Sequence, residues 1–197
     1  HEEMPVLAIA DASVVGNLPS LSSADADAVR RAVRYLYDLG HRQIARVGGP
    51  ESLAHSYIRD SAFADVASEL GMRYRCLHTD YTPETGREAT KRLLAFSEHP
   101  TAIIYDNDVM ALAGLGVAAS QGIKVPEEIS IMSWDDSLMC TAAYPNLTAM
   151  GRDVVDTGKQ AAGLLLKLIG GERVGHLMEG PYELRARAST GPAPAAE

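Results

Sequence analysis

The sequence predicts an α/β protein with a mainly parallel sheet and helices on both faces. Three observations lead there. Short apolar runs of strand length alternate with longer segments whose apolar residues recur at helical spacing. Several helical segments stop at glycine, at Gly40, Gly71 and Gly122. Each apolar run ends abruptly at polar residues. Strands and helices that alternate at short intervals are joined by right-handed crossovers, which makes the sheet parallel and covers both of its faces.

The elements follow in order. Val6–Ile9 is a first strand that leads into Asp11. Residues 12–23 hold Gly16, Asn17, Pro19 and four serines and read as a connection. Residues 25–39 carry Val29, Val33, Leu36 and Leu39 at helical spacing and stop at Gly40. Ile44–Val47 is a strand closed by Gly48-Gly49-Pro50, and a helix spans about 56–70, apolar at Ile58, Ala62, Phe63, Val66 and Leu70. A short strand covers Tyr74–Leu77. Thr82 then serves as N-cap of a helix with Pro83 at its first position. Ala102–Tyr105 is a strand followed at once by a helix over about 108–121. Ile129–Met132 is the next strand. A helix over 152–169 and two short strands near 176–179 and 182–185 complete the pattern, and the tail 190–197 is expected to be disordered.

Composition narrows the function classes. The chain has 197 residues, 46% hydrophobic, enough for a real core in one large domain or two small lobes. A net charge of −8 argues against a nucleic-acid surface, which needs clustered Lys and Arg. Cys76 and Cys140 stand far apart in no metal-like spacing, so a reducing, cytoplasmic setting is expected. No apolar stretch reaches bilayer length, and the N-terminal residues lack the pattern of a signal peptide.

In open parallel sheets, ligands bind outside the carboxyl ends of the strands. The informative residues are therefore Asp11, the segment 49–59, Asp80-Tyr81, Asp106-Asn107-Asp108 and Asp135-Asp136. Carboxylates, an amide, an Arg fork and an aromatic ring on one rim suit a small, neutral, hydroxyl-rich molecule. Capping of the following helices is the competing role, evenly weighted for Asp106 and Asp108 and slightly less favoured for Asn107. Catalytic motifs are lacking. There is no G-x-S-x-G elbow, Gly114-Leu115-Gly116 lacks the third glycine of a dinucleotide fingerprint, and Gly158-Lys159 is not followed by Ser or Thr. No metal site, no cofactor and no enzymatic activity are expected.

Seven segments, in order along the chain, carry a family resemblance. LGHRQIARVGGP (39–50), Arg59 with Phe63, TDYTPETG (79–86), TAIIYDNDVMALAG (101–114), GIKVPEEISIMSWDD (122–136), YPNLTAM (144–150) and ARAST (186–190) resemble the lactose-repressor/galactose-repressor (LacI/GalR) transcription regulators. The resemblance implies a periplasmic-binding-protein-like effector domain with two α/β lobes and a ligand cleft between them. By position, Arg59, Asn107 and Asp135 match the family's main effector contacts and Tyr81 its ring-stacking aromatic. Asp11 matches a contact from the other lobe, and His55 and Leu53 fall in the loop that tunes effector choice. Ala62 and Ser133 stand where the family has glycine, and Ser23 where an Asp is usual.

The expected layout follows from the resemblance. Residues 1–23 would supply the last strand of the first lobe and a crossover, 24–147 the second lobe, 148–185 a helix and strand returning to the first lobe, and 186–197 a closing segment and tail. One lobe would be nearly complete and the other partial, with the DNA-reading headpiece outside this chain. The implied function is the effector-sensing, dimerising part of a cytoplasmic transcriptional regulator that binds a sugar- or nucleoside-like molecule. It would meet operator DNA only through that headpiece and would not touch a membrane. The helix at 108–121, with Val109, Met110, Leu112, Leu115 and Val117, and the apolar loop 138–144 would pair two subunits. A solute-binding protein of a transporter is the alternative, and a sugar-processing enzyme a more distant one.

Overall fold

The structure is a computed structural model and describes residues 4–195. In chain order its elements are β1 (Ala8–Ile9), α1 (Ala12–Val15), β2 (Ser20–Ser22), α2 (Asp25–Asp38), β3 (Gln43–Gly48), α3 (Ala54–Glu69), β4 (Arg73–His78), α4 (Pro83–Leu94), β5 (Ala102–Tyr105), α5 (Asp108–Ser120), β6 (Ser130–Trp134), α6 (Leu138–Ala142), β7 (Thr148–Gly151), α7 (Val154–Ile169), β8 (His176–Met178) and β9 (Glu183–Arg185). They fall into two compact units. The smaller comprises His1–Asp25 and Arg152–Tyr182, the larger Ala26–Gly151 and Glu183–Glu197.

The smaller unit holds a three-stranded parallel sheet in the order β1-β2-β8. Residues 12–23, expected to be a plain connection, contain both α1 and β2, and β1 is only two residues long. Such short elements leave no period to read in the sequence. Glu179 ties the unit together. It pairs with Arg152, and its Oε2 accepts a 2.7 Å bond from the Thr157 hydroxyl on α7.

The larger unit is a six-stranded sheet in the order β4-β3-β5-β6-β7-β9, parallel except for the β7–β9 pair. Register aligns Val47 with Tyr105 and Tyr105 with Ser133, so the carboxyl ends of β3, β5 and β6 are level. Side chains alternate across the sheet. Ala45, Val47, Ile103, Tyr105 and Ile131 face a core shared with Met110, Leu115 and Leu93 from α5 and α4. The alternate positions Ile44, Arg46, Ile104, Met132 and Trp134 face the other way and are equally buried.

Helix boundaries follow local chemistry. Thr82 caps α4 by accepting from Thr85 N, with Pro83 behind it, as the sequence predicts. Asp153 caps α7, which starts at Val154 rather than 152. Gly40, at φ 94, turns the chain out of α2 in the left-handed region that favours glycine. His41 behind it is fully buried, its ring nitrogens 2.8 Å from Thr101 Oγ1 and 3.1 Å from Ser130 Oγ. Burial holds its pKa below the ordinary value, so it joins these strands as a neutral ring.

Two expectations are corrected here. The apolar segment 138–144 includes the helix α6, capped by Ser137, and 148–151 is the strand β7. The tail is ordered at its start. Ser189 N donates to Asn146 O and Ser189 Oγ to Ile131 O at 2.6 Å, while Ala193 N reaches Leu39 O at 2.8 Å. The end of the tail, Ala196 and Glu197, lies outside the described residues.

Candidate functional site

The junction between β5 and α5 shows how the rim of the larger unit is built. Three consecutive polar residues divide three tasks. Asn107 is the N-cap of α5, its Oδ1 accepting from Met110 N at 2.8 Å. Asp108 enters the first helical turn, where a carboxylate complements the helix dipole. Asp106, whose side chain is fully buried, turns inward to the charged groups behind the sheet.

Those groups are two arginines. Arg46 is 1% exposed, on β3 between β4 and β5. Its Nε donates to Asp106 Oδ1 at 3.0 Å and its Nη2 to Asp106 Oδ2, while Nη1 pairs with Asp60 on α3. Removing a guanidinium from water costs several kcal/mol, and only such complete pairing offsets it. Arg59, one turn of α3 beyond His55, places Nη1 3.5 Å from Asp106 Oδ2. Its guanidinium carbon lies 4.5 Å from the centre of the Trp134 ring at the end of β6. Beyond Asp60 the network continues to His78 at 2.8 Å and from there to Glu51 at 2.9 Å.

Tyr81 supplies an aromatic wall. Its carbonyl accepts from Asn107 Nδ2 at 3.1 Å, and its hydroxyl sits 2.7 Å from His55 Nε2. The two rings stack at an interplanar angle of 26°. The Tyr81 ring lies directly on the backbone of Gly49. A Cβ there would stand 1.9 Å from the ring, so only glycine permits this approach. Burial raises the Tyr81 phenol above its ordinary pKa, so it stays a neutral hydroxyl.

Asp135 follows Trp134 on the exposed rim. Its backbone is left-handed at φ 66, and Tyr81 is left-handed at φ 69. They are the two non-glycine residues with positive φ among the described residues. Such backbone strain costs about 1–3 kcal/mol per residue and persists only where the surroundings enforce it. At Asp135 the enforcement is visible: its N–H donates to Met150 O at 3.0 Å, and the Cys140 thiol lies 3.7 Å from its carbonyl oxygen. Ser133, where the resembling family has glycine, places its hydroxyl 2.9 Å from Trp134 O. The neighbouring Asp136 is clamped by Arg185 at 2.6 Å and by Arg187 at 2.7 and 2.8 Å. Arg187 before Arg185 is the main reason its pKa is lowered.

The structure thus brings Arg59, Asn107, Tyr81 and His55 into one connected cluster, with Asp135 adjoining it through Trp134. Leu53 precedes α3 on the same loop and is 37% exposed. Asp11 belongs to the smaller unit, where it caps α1 by accepting from Ser13 N at 2.9 Å. Asn107 uses one acceptor site and one amide hydrogen inside the protein, which leaves one of each for a ligand. Sequence reasoning passed over Arg46 and Trp134, and included Gly49 only as the start of the segment 49–59. A lone charge at an inward position of the apolar run 44–47 was the available signal for Arg46. Among the described residues no cluster of His, Cys, Asp or Glu could hold a metal. Burial pushes the Cys76 thiol up to about 12 and raises Cys140, so neither is poised as a thiolate nucleophile.

A second surface lies between α4, α5 and α6. Pro83, Arg87, Val109, Leu112, Ala113, Gly116 and Met139 line a shallow groove. Leu138 and Tyr144 beside it are 83% and 98% exposed. Met110, Leu115 and Val117, expected among the pairing residues, are buried in the core instead.

Comparison with known proteins places these features in context. Residues 33–190 match the family model described as a periplasmic binding protein-like domain. The chain is 34% identical over 179 residues to the HTH-type transcriptional repressor CytR of Escherichia coli K12, a match that covers 88% of this chain and 52% of CytR. It therefore spans about half the length of that relative. The crystal structure of a LacI family transcriptional regulator from Bifidobacterium animalis subsp. lactis superposes with a TM-score of 0.94 at 60% identity, over 97% of this chain and 70% of that one. At 24% identity, and so for the fold alone, two sugar-bound structures also match. One is a LacI family regulator from Enterococcus faecium with ribose (TM-score 0.82, 90% of this chain and 67% of that one). The other comes from Arthrobacter sp. FB24 in complex with lactose (TM-score 0.84, 94% and 70%).

Proposed function

The chain belongs to the LacI family of transcriptional regulators and carries their periplasmic-binding-protein-like domain, and from that premise we propose that it senses a small, neutral, sugar- or nucleoside-like effector. The effector lies at the carboxyl rim of the larger unit. Arg59 and Asp135 grip hydroxyl oxygens, the free amide valences of Asn107 add a third point, and the Tyr81 ring covers an apolar ring face. His55 and Leu53 shape the loop side. The observation that carries this reading is the pair of left-handed residues, Tyr81 and Asp135, both held at strand ends in the cluster around Arg59.

Sensing requires that the effector prefer one conformation of the regulator over another, since a ligand shifts an equilibrium only by its differential affinity. The chain acts as a homodimer through the groove between α4, α5 and α6. It reaches operator DNA through a headpiece in the longer protein, works in the cytoplasm and catalyses no reaction. The relatives are transcriptional regulators, which disfavours the transporter reading.

A thermal-shift screen of the protein against sugars and nucleosides, followed by calorimetry of each hit, tests this. Asp135→Ala removes a charge-assisted acceptor worth about 1.5–3 kcal/mol, or roughly one to two decades in affinity, and leaves no cavity. Arg59→Ala weakens binding at least as much. If both variants bind the hit as tightly as the parent, the rim is capping and ion pairing only.

A further inference from the structure

Arg46 is a charged residue where the fold has no need of one. It occupies an inward position on a strand flanked by two others, at 1% exposure, among Ile44, Ile104 and Met132. An aliphatic residue there would avoid the desolvation cost altogether. Its guanidinium also lies against Gly48, where a Cβ would stand 3.0 Å from Nη1. What the charge accomplishes is seen one step outward. The Arg46 fork takes both oxygens of Asp106, and Oδ2 of that carboxylate faces Arg59 Nη1 at 3.5 Å. Arg59 in turn covers Trp134, its guanidinium carbon 4.5 Å from the ring centre.

We propose that Arg46 and Asp106 are a positioning pair that fixes the Arg59 guanidinium over Trp134 and presents its outer edge to the effector. A long Arg side chain has several rotatable bonds and loses affinity whenever it must be ordered on binding. A bidentate pair beneath it removes that cost, because Asp106 can neither rotate nor move away while Arg46 holds both of its oxygens. Asp106 also satisfies part of the Arg59 charge. Arg46 has another branch, to Asp60 and on to His78 and Glu51. That branch leaves from Nη1, apart from the Nε and Nη2 that hold Asp106, so it provides an internal control. The effect on binding rests on the function proposed above. The posture of Arg59 does not.

Trp134 is the only tryptophan of the chain, so its fluorescence reports this one place. The emission maximum and acrylamide quenching are measured for the parent, Arg59→Ala, Asp106→Asn, Arg46→Met and Asp60→Asn. Arg59→Ala defines the signal of an uncovered ring. Asp106→Asn, which keeps the shape and at most one of the two bonds from Arg46, moves emission and quenching most of the way to that value. Arg46→Met does the same if it folds, and Asp60→Asn leaves Trp134 as in the parent. A merely structural pair predicts lowered melting temperatures with unchanged Trp134 signals, and that result overturns the proposal. So does an Asp60→Asn signal as large as that of Asp106→Asn. For a sugar identified in the screen, Asp106→Asn lowers affinity about tenfold, the equivalent of 1.4 kcal/mol. If no sugar binds the parent, the effector reading fails while the fluorescence still decides this one.

Discussion

Gly49→Ala separates the Tyr81 wall from the stability of the fold. The added methyl would stand 1.9 Å from Tyr81 Cζ, 2.2 Å from Oη and 2.4 Å from Cε2. Non-bonded carbons settle at about 3.5–4.0 Å, so the ring must retreat by about 1.5–2 Å. Its 2.7 Å bond to His55 then breaks, at about 0.5–1.5 kcal/mol. The backbone entropy removed from the unfolded chain returns about 0.4–1 kcal/mol. The ring is a half-exposed side chain that can swing outward, so net stability changes by less than about 1 kcal/mol in urea denaturation. Binding behaves differently. A sugar stacked on a correctly placed ring gains about 0.5–1.5 kcal/mol, and its loss weakens affinity about 2- to 12-fold by calorimetry. Tyr81→Ala should weaken it comparably. An unchanged affinity in Gly49→Ala, or a collapse of the unfolding midpoint, would refute the reasoning.

Gly114→Ala is the same substitution with the opposite result. The new Cβ would stand 2.3 Å from the hydroxyl of Tyr105, which is fully buried and bonded to Thr90 at 2.8 Å. With no room to move, overpacking and an orphaned hydroxyl outweigh the better helix propensity of Ala, and urea melts should show a loss of about 1–5 kcal/mol. Asp136, its pKa lowered chiefly by Arg187, gives a pH signature. A depressed folded pKa adds stability that is present above the ordinary carboxylate value and lost as pH falls through the folded one, so stability declines at acid pH and Asp136→Asn flattens that decline. Asp80, lowered to about 2 by Thr82 and Thr85, acts in the same direction and remains in both proteins. For the homodimer proposed above, Leu138→Glu, at an 83% exposed position, gives a monomer in light scattering where the parent gives a dimer. A dimer that persists points to a different interface.

Much of the architecture was legible because the central strands β3, β5 and β6 are almost wholly buried and therefore read as apolar runs. Ala102–Tyr105 and its abrupt polar end were visible at once, and so was the Thr82-Pro83 start of α4. What failed was short or non-local. β2 and α6 have three and five residues, too few for a period to appear. The roles of Asp106 and Asn107 were weighed the wrong way round for capping, because residue type alone does not say which of two adjacent polar side chains turns inward. That choice depends on Arg46, sixty residues earlier in the chain. The exposed face of α5 was overestimated for the same reason: Met110 and Leu115 face a core built from β5, β6 and α4, whose approach no local pattern announces.

The stitching of residues 189–193 into the larger unit sets an order of events during synthesis. Ser189 bonds to Ile131 on β6, Gly191 N donates to the Ser130 hydroxyl, and Ala193 N closes on Leu39 behind α2. A ribosome has already delivered β3 to β7 of that sheet when it reaches Gly151, and then spends residues 152–182 on the smaller unit before β9. At about 5–20 residues per second, the roughly 40 residues between Gly151 and Thr190 take about 2–8 s. Through that interval the nascent chain holds β6 and β7 without their last partner, with the His41 ring short of its acceptor at Gly191 O. A chain released early would carry nearly the whole sheet and still lack the clasp that closes it.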